Sequence, residues 1–233
     1  MKIGIMQPYF LPYIGYFQLI NISEKFIVLD NVQYIRRGWI NRNKYLLNNK
    51  DRYFTIPIAK IPQQQNIVKV EISKEYDRKK ILRQFYNAYK KAPHFDKIYP
   101  LLDRIILYSD QNLFRYVLHS ISKICEYLDI KTKFYLSSNI RIDHNLRSEK
   151  KIIALCKFFK SNLYINSSGG EKIYKKDDFK KFNINIKFLN SSEFRYKQFN
   201  NNSFIPNLSI VDVLMFNSKK IIKEKINNNF ILK

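Results

Sequence analysis

The sequence predicts an α/β fold with three layers, in which a mostly parallel sheet carries a small antiparallel insertion and a helical middle. Three observations predict it. Short apolar runs that read as strands alternate with longer segments whose apolar residues recur every three or four positions. The run Phe26-Ile27-Val28-Leu29 is apolar throughout, as a strand covered on both faces must be. The 233 residues contain no internal repeat and no linker long enough to divide them, so one domain over residues 1–233 is expected.

Taken in order, Lys2 to Met6 is a short apolar strand. Gln7-Pro8-Tyr9-Phe10-Leu11-Pro12 is a loop, because each proline fixes its own φ and disfavours helix in the residue before it. Pro12 suits the first position of a helix running through Ile20. Phe26–Leu29 is the second strand, and it ends in Asp30. Gln7 and Asp30 then both follow the carboxyl ends of parallel strands, the edge at which open α/β sheets bind ligands.

An insertion spans about residues 36–75. Ile40 to Leu47 and Tyr53 to Ile58 read as antiparallel strands around the turn-rich Asn48-Asn49-Lys50-Asp51. Ile67 to Ile72 alternates with period two and reads as a half-buried strand. About residues 76–130 read as helical. Ile81, Leu82, Phe85, Tyr86 and Tyr89 form one helix face that stops before Pro93. Leu113, Phe114, Val117, Leu118, Ile121, Ile124, Cys125 and Leu128 form another, with Ser109 or Asp110 as its cap. Phe134–Leu136 is a strand, and Ser148 caps a helix carrying Ile152, Ile153, Leu155, Cys156 and Phe159. Two more strands follow at Leu163–Ile165 and Ile184–Leu189. Ser209 caps a last helix that buries Val211, Leu214, Met215 and Ile221. This order is Rossmann-like.

Hydrophobic residues make up 45% of the chain, which supplies a real core and excludes a disordered tail. Cys125 and Cys156 are the only cysteines and fall on apolar helix faces, so they read as core residues rather than a disulfide or a nucleophile. No pair among His94, His119 and His144 has metal-ligand spacing, so no metal is expected. No apolar run reaches the roughly 20 residues of a membrane span. The opening Met1-Lys2-Ile3-Gly4-Ile5 lacks the features of a secretory signal, which predicts a cytoplasmic protein. With 42 Lys and Arg against 19 Asp and Glu, the net charge is +23. That excess favours an anionic partner: a nucleotide-linked substrate, RNA, an acidic carrier protein or an anionic membrane surface. The lysines are spread along the chain rather than gathered into an arm, which argues against a dedicated nucleic-acid binder.

Special residues concentrate between Gln7 and Asn43. Asp30-Asn31-Val32-Gln33-Tyr34 leads into Arg36-Arg37-Gly38-Trp39-Ile40-Asn41-Arg42-Asn43, which holds the only Trp. Arginine forks suit phosphate or carboxylate, and the rings of Tyr and Trp suit a base or a sugar face. A plain structural loop, with the arginines paired to Asp30, is the competing interpretation. Asn166-Ser167-Ser168-Gly169-Gly170 follows a strand and can present backbone N–H groups to an anion, or serve as an ordinary turn.

Met6-Gln7-Pro8-Tyr9-Phe10-Leu11-Pro12-Tyr13-Ile14-Gly15-Tyr16-Phe17 resembles the opening of the WbqC-like protein family. The resemblance continues through Asp30–Tyr34, Arg37-Gly38-Trp39 and Asn41-Arg42-Asn43. It returns at Tyr164–Gly169 with Tyr174, at Tyr196 and Gln198, and at Phe204–Asp212. It implies a place in the biosynthesis of O-antigen, lipopolysaccharide and other surface polysaccharides, or of natural products. Separately, Tyr13-Ile14-Gly15-Tyr16 is similar in placement to the His-x-Gly-His motif of nucleotidylyltransferases. That likeness implies a related topology and a nucleotide near the first helix. Tyrosine cannot supply a cationic imidazolium, which counts against adenylyl transfer.

The function this implies is a transferase acting on a nucleotide-linked amino sugar by N-acyl or aminoacyl transfer. Asp30 is the expected general base, and Tyr9 or Tyr34 the oxyanion donor. Gln7, Gln33, Arg37, Trp39, Asn41, Arg42, Asn43, Ser168 and Gly169 are the expected substrate contacts. No cofactor is expected to bind tightly. A coenzyme A thioester or an acidic acyl carrier protein would deliver the acyl group to a basic surface. The rival class is a binding protein without chemistry, whose partner is RNA or an acidic protein. Strong salt dependence would mark the RNA case.

Overall fold

The computed structural model describes residues 1–199 and 203–233. Its main sheet is built from β1 (Lys2–Met6), β2 (Lys25–Val28), β5 (Lys133–Leu136), β6 (Leu163–Ser167), β7 (Asn185–Ser191) and β8 (Phe230–Leu232). The spatial order is β5-β2-β1-β6-β7-β8. The first five are mutually parallel, and β8 pairs antiparallel to β7. Numbered among themselves in chain order, the parallel strands run 3-2-1-4-5, the Rossmann order.

Alternating side chains explain the layers. Phe26 and Val28 face one core with α1 (Ile14–Ile22), α2 (Arg78–Tyr89), α3 (Phe95–Ile106), α4 (Leu113–Tyr127), α7 (Ile210–Phe216) and α8 (Lys219–Asn228). Ile3, Ile5 and Ile27 face a second core with α5 (Ser148–Phe158) and α6 (Lys176–Lys180). The crossover from β1 therefore passes over one face and those around β6 over the other. The direction of winding reverses between β1 and β6, and a crevice opens there at the carboxyl ends of the strands.

The antiparallel insertion is β3 (Arg42–Leu47) and β4 (Lys50–Thr55). Asn48 and Asn49 turn it at φ 50° and 59°, the left-handed pair that a two-residue hairpin demands and that Asn tolerates. The last residues before this hairpin are tied to the β1 exit loop, where Phe10 N–H lies 3.2 Å from Ile40 O.

Several sequence expectations are corrected. Ile67 to Ile72 is not a strand but a short 3₁₀ turn at Ile67–Lys69, because Ile67 and Val68 donate their N–H groups to Val32 O and Asp30 O of the β2 exit. The cap of α4 is Asn112, which accepts from Arg115 N–H, rather than Ser109 or Asp110. Ser148 is the first residue of α5 and gives it no side-chain cap. Ser209 caps α7 as expected, but Ser218 starts a separate helix, α8, in which Ile222 is buried and Ile221 exposed. Within the segment read as helical, a third helix that the sequence reading did not single out, α3, follows Pro93 and buries Ile98, Leu101, Leu102, Ile105 and Ile106 on one face. Cys125 and Cys156 are buried, and burial pushes both thiols up to about 12. Among the described residues no helix is long and apolar enough to cross a membrane, and no cluster of three His, Cys, Asp or Glu gathers to hold a metal.

Candidate functional site

The crevice at the winding reversal has a volume of about 490 Å³. Its walls come from the β1 exit (Tyr9, Pro12, Tyr13), the insertion (Trp39, Asn43, Lys44), the β6 exit (Ser168), the end of β7 (Asn190, Ser191), and Pro206 with Asn207.

The β1 exit loop is held in an unusual shape. Leu11 sits at φ 44°, a conformation that disfavours a side chain with a β-carbon. Its carbonyl accepts from Asn43 Nδ2 at 3.0 Å and from Ser209 Oγ at 2.7 Å, so β3 and the start of α7 together fix it. Asn43 is therefore a buried support for the crevice floor. Ile210 N–H donates to Pro12 O at 2.9 Å and anchors the end of the same loop.

That loop delivers two tyrosines to the crevice. Neither hydroxyl has a hydrogen-bond partner among the described residues, and burial raises both pKa values. Both are thus neutral donors at pH 7. A β-carbon on Gly15 would lie 2.4 Å from Tyr13 Cε2, so the glycine leaves the space that the Tyr13 ring occupies over the first turn of α1. That turn has no side-chain cap and no acidic residue, and its backbone carries partial positive charge. Tyr16, the other end of the Tyr13-Ile14-Gly15-Tyr16 segment, is 2% exposed and donates its hydroxyl proton to Gln7 O. It faces the core, so no pair of side chains from this segment converges on a phosphate.

Trp39 is 42% exposed at the crevice mouth, with Tyr53 beside it at a ring separation of 6.4 Å. Lys44 bonds Asp51 at 2.6 Å and lies over the Tyr53 ring. Behind Trp39, a second cleft of about 620 Å³ is lined by Tyr34, Arg36, Arg37, Asn41, Arg42 and Lys60 among others. The segment 36–44 thus walls two clefts, one aromatic and one cationic.

The expected site residues divide accordingly. Tyr9, Trp39, Asn43 and Ser168 meet in the crevice. Tyr34, Arg37, Asn41 and Arg42 line the cationic cleft instead. There Tyr34 donates its proton to Asn41 Oδ1 at 2.8 Å, and Asn41 Nδ2 donates to Ile56 O at 2.7 Å, so both serve to brace the insertion. Arg42 gives Nε to Gly38 O at 3.2 Å and Nη2 to Arg37 O, which leaves Arg37 with the freer guanidinium. Gln33 lines a third cleft, and Gly169 is exposed in the 3₁₀ turn Ser168–Lys172 after β6. Gln7 contributes its carbonyl to Tyr16 and does not line the crevice.

Asp30 is the clearest departure. It does follow β2 on the same edge as Gln7, but its exposure is 0%. One carboxylate oxygen accepts from Ser137 Oγ at 2.7 Å and from Ser138 N–H at 2.9 Å, and the other accepts from Ser138 Oγ. The group fastens the β5 exit over the end of β2 and has no open face for a substrate proton. Neither arginine pairs with it.

Sequence reasoning missed Tyr13, Lys44, Asn190, Ser191 and Asn207 as crevice residues. Tyr13 was legible in the β1 exit segment, and Asn190 and Ser191 in the polar end of an apolar strand. Lys44 and Asn207 carried no such signal. A second buried carboxylate, Asp212 of α7, stands behind the crevice. It accepts from Tyr196 Oη at 2.6 Å, Gln198 Nε2 at 2.8 Å and Tyr89 Oη at 3.0 Å. Burial raises its pKa, and these three donors pull it the other way. Gln198 also holds both the N–H and the O of Ile205, so the segment carrying Pro206 and Asn207 is pinned to the crevice rim.

Fold and site together define a Rossmann-type α/β protein with a polar, aromatic-rimmed crevice at the point where its sheet reverses winding. The profile of the WbqC-like protein family matches residues 7–224, and the chain belongs to that family. A Mycobacterium tuberculosis protein, named only as uncharacterized, is 29% identical over 218 residues, covering 91% of this chain and 92% of the relative. No solved structure matches significantly.

Proposed function

We propose that the protein is a transferase acting on a nucleotide-linked amino sugar, by N-acyl or aminoacyl transfer, in the biosynthesis of surface polysaccharide. The observation that carries the proposal is the crevice itself. It joins an uncapped helix start, two unpartnered tyrosine hydroxyls and the only tryptophan at the ligand edge of a Rossmann-type sheet. Trp39 offers a stacking face for the base, and the start of α1, which follows Tyr13, adds partial positive charge for the diphosphate. Arg37 in the adjoining cleft adds a cationic fork for a phosphate or for an acidic acyl donor.

In this proposal the acyl carbonyl is attacked by the sugar amine in its neutral form. The nitrogen–carbon bond forms, the thiolate of the donor leaves, and the amine proton passes to solvent or to that thiolate. Tyr9 and Tyr13 supply hydrogen bonds to the developing oxyanion. Asp30 has no part in the step, because its oxygens are enclosed. Donors are coenzyme A or carrier-protein thioesters, which a +23 chain attracts.

The single tryptophan makes the test direct. Titrating the protein with uridine and thymidine diphosphate sugars should change Trp39 fluorescence, saturate, and persist with little loss between about 50 and 200 mM salt. Fluorescence that responds only to RNA and collapses over that salt range would replace the proposal with a nucleic-acid binder. No response to any nucleotide ligand would remove the crevice as the site.

A further inference from the structure

On the opposite side of the β2 exit lies a third cleft, of about 460 Å³, lined by residues of that exit and by the residues around the start of α5. We propose that this cleft is a phosphate-binding site, suited to a small phosphorylated polyol such as a sugar phosphate. The inference is independent of the crevice and of the reaction assigned to it.

Lys151 is the central observation. It lines the cleft and is 4% exposed. Buried lysines are rare unless paired. Its Nζ makes one long hydrogen bond, 3.3 Å to Asn31 O, and no carboxylate lies within 4 Å among the described residues. Burial lowers its pKa, and Asp30 is near enough to oppose this only in part, since its carboxylate already accepts three hydrogen bonds from Ser137 and Ser138. An ammonium carries three protons. Two are left without a partner among the described residues.

The surroundings are cationic and polar. Arg147 lines the same cleft and forms no ion pair among the described residues, and His144 lines it with its Nδ1 2.9 Å from Asn31 Nδ2. The eleven-residue α5 starts at the cleft without a side-chain cap, while Glu149 of its first turn lies towards Tyr174 instead. The remaining walls are mostly amides: Gln33, Gln64, Asn66 and Asn145. Among the described residues no Phe, Tyr or Trp lines the cleft, so a nucleobase finds no phenyl or indole face there. Cations at one end and amides along the walls match a phosphate attached to a hydroxyl-rich body.

Calorimetric titration of the full chain at low salt, with inorganic phosphate, glucose 6-phosphate and glucose, tests this. Both phosphates should bind, glucose should not, and Trp39 fluorescence should stay silent throughout. Lys151→Met keeps the length of the buried chain and removes its charge. It should weaken phosphate binding by about tenfold or more, the effect of one lost charge-assisted contact, while the melting temperature holds or rises. If Lys151→Met does not fold, Arg147→Ala decides the matter with a smaller loss of the same sign. Absence of phosphate binding overturns the proposal. So does phosphate binding that neither variant alters, since a diffuse association with a chain of net charge +23 would survive the loss of one cation. A Trp39 response to glucose 6-phosphate would also overturn it, by moving that ligand to the crevice.

Discussion

The exits of β1 and β2 are neighbours in one parallel sheet, and they end in opposite states. The β1 exit opens into a crevice, with two tyrosine hydroxyls that have no partner among the described residues and a strained Leu11 held by Asn43 and Ser209. The residue that ends β2, Asp30, is wholly buried under Ser137 and Ser138. The cause is topological. Beyond β1 the next strand, β6, is approached over the other face, so the flanking loops part. Beyond β2 the next strand, β5, is reached over the same face, and its exit folds back on the aspartate. At the β1 exit, where the winding reverses, the residues that follow the strand face the crevice, whereas Asp30, where it does not, is enclosed.

The sharpest way to break this comparison is to remove Asp30. Asp30→Ala leaves a buried serine pair and a backbone N–H without their acceptor, which should cost about 3 kcal/mol in urea unfolding. A stable Asp30→Ala protein that has lost ligand binding would reverse the assignment and make the β2 exit the working end. At the β1 exit the expectation is the mirror image. Trp39→Ala should lose ligand affinity by about 1–3 kcal/mol, measured by calorimetry, with little change in melting temperature, since its ring is half exposed.

Gly15→Ala sharpens the same contrast. The added carbon meets the far end of the Tyr13 ring, which can swing away, so the fold should change by less than about 1 kcal/mol. Ligand affinity should fall because Tyr13 has left its place over α1. The smallest expected effects are in pH dependence. Two bonds from Lys219 and Lys223 hold Asp129 down at about 2, so its stabilising contribution is present above the ordinary carboxylate value and is lost as pH falls towards 2. Asp212 has its value raised by burial, so its contribution is complete below the ordinary value and is lost as pH rises through the raised one. Melting curves of Asp129→Asn and Asp212→Asn against pH should therefore flatten opposite sides of the acid limb.

Strands of the main sheet were legible where burial on both faces leaves a continuous apolar run, as at Phe26–Val28, and where apolar and polar residues alternate, as in Ile184–Leu189. The hairpin was legible from Asn48-Asn49. What escaped was decided by long-range partners. The period-two pattern at Ile67–Ile72 did not become a strand because the β2 exit takes its backbone donors. The apolar face of α3 was present in a segment read as helical, but α3 was not singled out as a helix of its own beyond Pro93. Of the site, the segment 7–43 was rightly found to be dense in polar and aromatic groups. It could not be divided into its crevice, its cationic cleft and its sealed aspartate, because that division depends on which way each crossover passes the sheet.

The last strand has a consequence for how the molecule behaves in company. β7 is seven residues long, and β8 pairs with its final three, Leu189 to Ser191, while Lys233 exchanges two backbone hydrogen bonds with Phe188. This short antiparallel cover occupies the edge of a strand that would otherwise present a row of free donors and acceptors to another chain. At the far edge, β5 is only four residues and begins with Lys133. The sheet is therefore closed to its own copies by brevity at one side and by a three-residue patch at the other. Removing residues 230–233 should bare the edge of β7 to another chain and increase concentration-dependent association, which light scattering would read.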